Sequence, residues 1–208
     1  MPPIQTLVGP AVASDGTNPI ARSGRAGESI VQELHGRYFE QAFRKNLFIA
    51  YAAAQATSLV GTGMVGLQIY NGSPVAGGVN LVLLKAAGFC AVTTPAATGL
   101  VLASGSGQLS APTGQTAATR TGNTFIGGQG SSALATVAAT FTNAPTALWP
   151  MMHNTIAIAT AGEDPGYQVD FEGSIIVPPQ SYICVASLGA ALVASGGFHS
   201  FMWEEVPV

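Results

Sequence analysis

Between Asn46 and Gly162 the chain carries only two charged side chains, Lys85 and Arg120. An ordinary soluble domain spreads acids and bases over its surface, at about a quarter of all residues. Here 7 basic and 10 acidic residues make up 8% of a 208-residue chain, and Gly, Ala, Ser and Thr fill the neutral stretch. Such a surface must be covered by something. A lipid bilayer would do it, and so would other subunits, because charge is depleted at the centres of protein interfaces.

The bilayer reading has one candidate span, from Leu47 to Tyr70, preceded by Arg44 and Lys45. Its length suffices, but Gln55, Thr57, Ser58, Gly61, Thr62, Gly63, Gly66 and Gln68 dilute it, and Ala supplies much of the rest. No membrane partner is expected. The N-terminus shows no basic region followed by an apolar run, so no secretory signal is expected either. Cys90 and Cys184 each lie in apolar sequence, where a free thiol behaves as a small hydrophobe, and no disulfide between them is expected. Net charge is −3 and five of the seven basic residues precede position 46, which is not the basic stripe that phosphate binding needs. Nucleic acid is therefore not an expected partner.

The pattern along the chain gives an arm and one β domain. Residues 1–33 read as an N-terminal arm rich in Pro and Gly near its start. Residues 34–208 read as an antiparallel β-sandwich. At its start Leu34, Tyr38, Phe39, Ala42 and Phe43 form one stripe of a short helix reaching Lys45, with Glu33 and Glu40 four residues before Arg37 and Arg44. Three aromatics exceed what a solvated helix can cover, so the helix must dock, and docking on its own sandwich through Phe43 is the favoured expectation. The period then becomes two. Val65, Leu67 and Ile69 alternate with small or polar residues, Val79 to Leu84 reads as a buried strand, and Tyr167, Val169 and Phe171 alternate with Gln168, Asp170 and Glu172. Pro178-Pro179 fixes a turn between two β-rich runs, and Phe198 to Val206 closes the domain. Residues 103–132, rich in Gly, Ser and Thr, read as a loop, either protruding and ordered or flexible.

Chemical motifs are weak. Gly61-Thr62-Gly63-Met64-Val65-Gly66 matches the spacing of a dinucleotide-binding turn, but strand-like sequence follows it and the next acid is Glu163, so no cofactor is expected. His35, His153 and His199 are scattered and no metal site is expected. Asp170 and Glu172 could share a strand face as a carboxylate pair, although acids on a wet face are the ordinary reading. Asn71-Gly72-Ser73 has the form of a glycosylation sequon and is better read as turn chemistry. Trp149 and Trp203 read as core or interface anchors, with sugar stacking as the alternative.

Five segments carry a resemblance: Arg22-Ser-Gly-Arg-Ala-Gly-Glu28, His35-Gly-Arg-Tyr-Phe-Glu40, Asn46-Leu-Phe48, Asn80-Leu-Val-Leu-Leu84 and Phe201-Met-Trp-Glu-Glu205. They resemble small virion proteins of tailed bacteriophages, the cement or decoration proteins of the head. The resemblance implies a jelly-roll-like knob, often trimeric, that binds the major capsid protein on the outside of a capsid assembled in the host cytoplasm. It brings no site residues with it. The charge and aromatic pattern supplies the expected assembly contacts: Arg22, Arg25, Arg37, Tyr38, Phe39, Phe43 and Arg44. The expectation is a non-enzymatic structural subunit; a carbohydrate-binding or tail-associated adhesin is the alternative, and a glycosidase is the enzymatic rival.

Overall fold

A computed structural model describes residues 37–57, 59–61, 66–90, 98–114, 116–118, 120–154, 166–189 and 192–208. Within it the chain divides into two units, Met1–Phe39 and Glu40–Val208. Of the first unit the described part is Arg37 to Phe39, where the Arg37 guanidinium lies 5.5 Å from the centre of the Tyr38 ring. Arg22, Arg25 and the rest of the arm lie outside the described residues.

Among the described residues eleven strands follow a one-turn helix, α1 (Phe39–Phe43). They are β1 (Leu47–Thr57), β2 (Gln68–Asn71), β3 (Val79–Cys90), β4 (Thr98–Gly105), β5 (Thr116–Ala117), β6 (Arg120–Asn123), β7 (Ala133–Val137), β8 (Thr146–Asn154), β9 (Gly166–Val177), β10 (Ser181–Ser187) and β11 (Leu192–Pro207). Two antiparallel sheets pack face to face, with orders β6-β1-β11-β3-β9 and β5-β7-β2-β10-β4-β8. The pairs β1 with β11, β2 with β10, β3 with β9 and β4 with β8 are nested, first with last and inward. That nesting is the jelly-roll wrap of one long hairpin into two sheets. Strands β5 to β7 are inserted between its fourth and fifth members, and they lengthen both sheets on the same side, β6 beside β1 and β7 beside β2.

Alternation explains the shared core. Phe48, Leu81, Leu83, Phe171, Phe201 and Trp203 point inward from the first sheet, and Leu67, Ile69, Leu100, Leu102, Ile183 and Val185 meet them from the second. Side chains of this size stabilise by roughly 1.5–3 kcal/mol each when fully buried. A second, smaller core covers the opposite face of the six-stranded sheet, where Phe141 stacks on Tyr182 at 3.6 Å between centres, beside Tyr70, Val101 and Cys184. Hence every residue of β10 is buried, and Cys184 is a free thiol whose titration burial pushes upward.

Three elements differ from expectation. The helix is shorter than the sequence stripe: residues 37–38 form a turn, α1 has five residues, and Leu34 lies outside the described residues. It ends because Lys45 takes the left-handed conformation (φ 64°), while the amides of Lys45 and Asn46 bond back to the carbonyls of Ala42 and Gln41. Strand β2 alternates in sequence, yet all four of its residues are buried. Gln68 and Tyr70 are as buried as Ile69, because the insertion and its flanks lie over them: Gln68 Nε2 donates to Thr136 Oγ1, and Tyr70 Oη donates to the Gln108 carbonyl. Third, residues 103–132 are not a loop throughout, since β4 continues to Gly105 and β5 and β6 join the two sheets. Buried Gln108 clamps this segment. Its amide bonds the Gln180 carbonyl, and its side chain donates to the Ser110 carbonyl and accepts from the Thr142 amide.

Candidate functional site

Of the expected assembly residues, Arg37, Tyr38, Phe39, Phe43 and Arg44 are described, on or beside α1 ahead of β1, while Arg22 and Arg25 lie outside the described residues. Phe43 is 63% exposed and Phe39 40%. This corrects the expectation that Phe43 docks on its own sandwich, since most of the residue stays exposed. Arg44 and Lys45 are exposed as well. Lys45 Nζ stands 5.1 Å from the centre of the Phe125 ring, and the Lys45 carbonyl accepts from Asn123 Nδ2 at 2.5 Å. Sequence reading missed Phe125 and Ile126, the latter 82% exposed, because both sit in a segment whose composition resembles a linker. Nearby, burial raises the Glu204 carboxyl pKa, and the Arg44 guanidinium partly offsets that rise. From Phe43 onward, Phe43→Ala is expected to change the unfolding free energy by no more than about 0.5 kcal/mol, as for an exposed position. A urea melt checks it, and a loss above about 2 kcal/mol would return Phe43 to a core.

At the other side of the sandwich, β8 and β9 are the outer strands of their sheets. A groove of about 360 Å³ opens between them, with buried Val177 and Ile183 in its lining and Leu148, Ile176, Ser104 and Thr146 around it. Among the described residues no charged side chain lines it. Trp149, 48% exposed, meets Phe171 edge-on at 6.1 Å, so of the two tryptophans only Trp203 is a core anchor, stacked on Phe48 at 6.0 Å. Both strands are interrupted as hydrogen-bonding edges. Register shifts in β8 flank Pro150, and β9 bulges where Phe171 to Ser174 face Leu84, with Glu172 and Gly173 at positive φ.

The exposed face of the five-stranded sheet is the third surface. Phe89 and Phe198 stack at 4.5 Å, Ile49 and Tyr51 lie on the same sheet, and Lys85 Nζ pairs with Asp170 at 3.0 Å. Asp170 is thus an ion-pair partner, and the bulge at Glu172 breaks the regular two-residue spacing that a carboxylate pair on one face would need. Beneath this sheet Tyr167 Oη lies 3.0 Å from His199 Nδ1. The pair fits because Gly88 stands between the two strands, where a Cβ would come within 2.8 Å of Tyr167 Oη. His199 is fully buried and its Nε2 has no hydrogen-bond partner among the described residues; burial lowers its pKa to about 4.

The remaining motifs resolve as follows. Asn71 is buried: its Nδ2 donates to the carbonyls of Val79 and Val177, and its Oδ1 accepts from the amide and hydroxyl of Ser73. The sequon is turn chemistry. Residues 62–65 of the glycine motif and His35 lie outside the described residues, and His153 is in β8. Among the described residues no three His, Cys, Asp or Glu side chains come together as a metal site, and no helix is long and apolar enough to cross a membrane. No family model, curated protein or solved structure matches the chain.

Proposed function

We propose that the chain is a non-enzymatic virion structural protein, a decoration or cement subunit that binds the major capsid protein on the outside of a bacteriophage head and associates with copies of itself as a trimer. The observation that carries this reading is the exposed apolar side chains on a body almost without charge: Phe43, Ile126, Leu148, Trp149 and Ile176. Such groups on a soluble protein mark surfaces that something else covers. The jelly roll adds support by analogy, being a fold of viral capsid and lectin domains. Five interrupted segments resembling phage head proteins add the shell as partner. Cryo-electron microscopy of the native particle tests it: density for this chain is expected on the outer capsid surface, and a particle that lacks the chain would overturn the assignment.

One observation favours a second reading. Trp149 leaves about half its surface open to solvent, and an exposed indole face suits stacking on a sugar. On that reading the chain is a carbohydrate-binding or tail-associated β protein. A glycan array separates the two, since saturable binding that Trp149→Ala abolishes belongs to the second alone.

A further inference from the structure

We infer that the turn at residues 124–128 of one copy seats in the β8–β9 groove of a second copy, a head-to-tail contact. It deepens the proposed function and rests on the self-association in that reading. The turn is built to project. Its ends are tied by bonds from the Thr124 amide to the Leu47 carbonyl (2.9 Å), from the Phe125 amide to Asn123 Oδ1 (2.8 Å) and from the Gly128 amide to the Phe125 carbonyl (2.8 Å). Gly127 turns the chain at φ 84°, and between these ties Ile126 stands out from the surface. A rigid apolar knob loses little freedom on binding.

The groove is open to solvent and, like the turn, uncharged among its described lining residues. It offers about 360 Å³ over an apolar floor. Residues 124–128 are Thr-Phe-Ile-Gly-Gly, equally uncharged. A charged occupant would lose its hydration there without gaining an opposite charge, whereas this turn buries none. Pro150 and the bulges interrupt β8 and β9 as pairing edges, so side-chain insertion, not strand addition, is the contact this edge supports.

Position identifies the partner as another copy. The turn follows β6, the outer strand on one side of the five-stranded sheet, and the groove lies along β9, the outer strand on the other. Knob and groove therefore cannot meet within one chain. A contact between two different patches is heterologous, and it makes a closed ring when the rotation between copies divides a full turn. Every copy in such a ring buries both of its apolar edges.

Sedimentation velocity on the full chain tests this with Ile126→Asp for the knob, Ile176→Asp and separately Leu148→Asp for the groove, and Val75→Asp, on the exposed turn between β2 and β3, as control. Each variant is first checked for an unchanged far-ultraviolet spectrum. The wild type and the control are expected to sediment as one closed oligomer, and the knob and groove variants as monomers, with association at least ~10-fold weaker. Mixing is the sharper arm. Ile126→Asp keeps its groove and Ile176→Asp keeps its knob, so an equimolar mixture should form a one-to-one dimer and nothing larger. A wild-type oligomer that survives both substitutions, or a mixture that stays monomeric, overturns this contact and leaves self-association standing. A wild type that is monomeric at micromolar concentration overturns both.

Discussion

Asn71→Ala is expected to destabilise the fold by about 2–4 kcal/mol, although it removes only a small polar group. The side chain stands on β2 in one sheet and reaches the carbonyls of Val79 on β3 and Val177 on β9 in the other, at 2.8 and 2.9 Å. Its Oδ1 also fixes the turn to β3 through Ser73. Alanine would leave the Val177 carbonyl and the Ser73 amide without this partner, at about 1–3 kcal/mol for each group so orphaned, while the Val79 carbonyl still accepts from the Ser73 hydroxyl at 3.1 Å. Water entering the vacated space would recover part, hence the lower end of the sum. Equilibrium urea unfolding of the variant measures it. A loss under about 1 kcal/mol would mean that Asn71 does not strap the sheets together. Asn71→Asp makes a second comparison, since it keeps the acceptor and loses the two donated bonds.

The second large effect is on acid stability. His199 has its ordinary pKa near 6.5 when unfolded and one lowered to about 4 by burial when folded, so between those values the unfolded chain binds the extra proton. Stability tied to this group is complete above pH 6.5, falls as pH drops through that window, and levels off below about 4. A gap of this size corresponds to about 3 kcal/mol. His199 pairs in register with Ala52 on β1 and Gly88 on β3, and Tyr167 on β9 shares its Nδ1, so the described neighbours offer no carboxylate to hold the imidazolium. The measurement is the unfolding free energy at pH 7 and pH 4.5 for the wild type and for His199→Gln. The variant should lose most of the wild type's decline over this interval. Equal declines in both proteins would assign the acid sensitivity to carboxylates elsewhere.

Much of the fold is legible in the sequence where periodicity and burial share a cause. In β9, Tyr167, Val169 and Phe171 alternate with Gln168 and Asp170 because one face meets the core and the other meets water. Pro178-Pro179 marks the turn into β10 because neither residue can donate to a ladder. The insertion was not legible. Strands β5 and β6 have two and four residues, too few for a period to show, and their partners β7 and β1 are set by tertiary pairing. The burial of Gln68 and Tyr70 is not legible either, because it depends on that same insertion. Phe43 was misplaced because an aromatic stripe shows that a helix buries something, not in which molecule. The groove has no motif at all, since residues 104, 148, 177 and 183 meet only once the sandwich has wrapped.

The pairing of β1 has a consequence for how the chain comes to be folded. Its two neighbours, β6 and β11, lie roughly seventy and a hundred and fifty positions further along, as in Ala50 with Thr121 and with Phe201. While β1 to β4 are being synthesised, the apolar run Leu47 to Ala52 has neither of these neighbours to pair with, and β11 (Leu192–Pro207) is the later of the two to emerge. Folding must then close a loop of roughly a hundred and fifty residues in one late step, which places it among slow, non-local folders. A chain cut before β11 leaves β1 and β3 without the strand that joins them, so such a truncation should aggregate instead of folding.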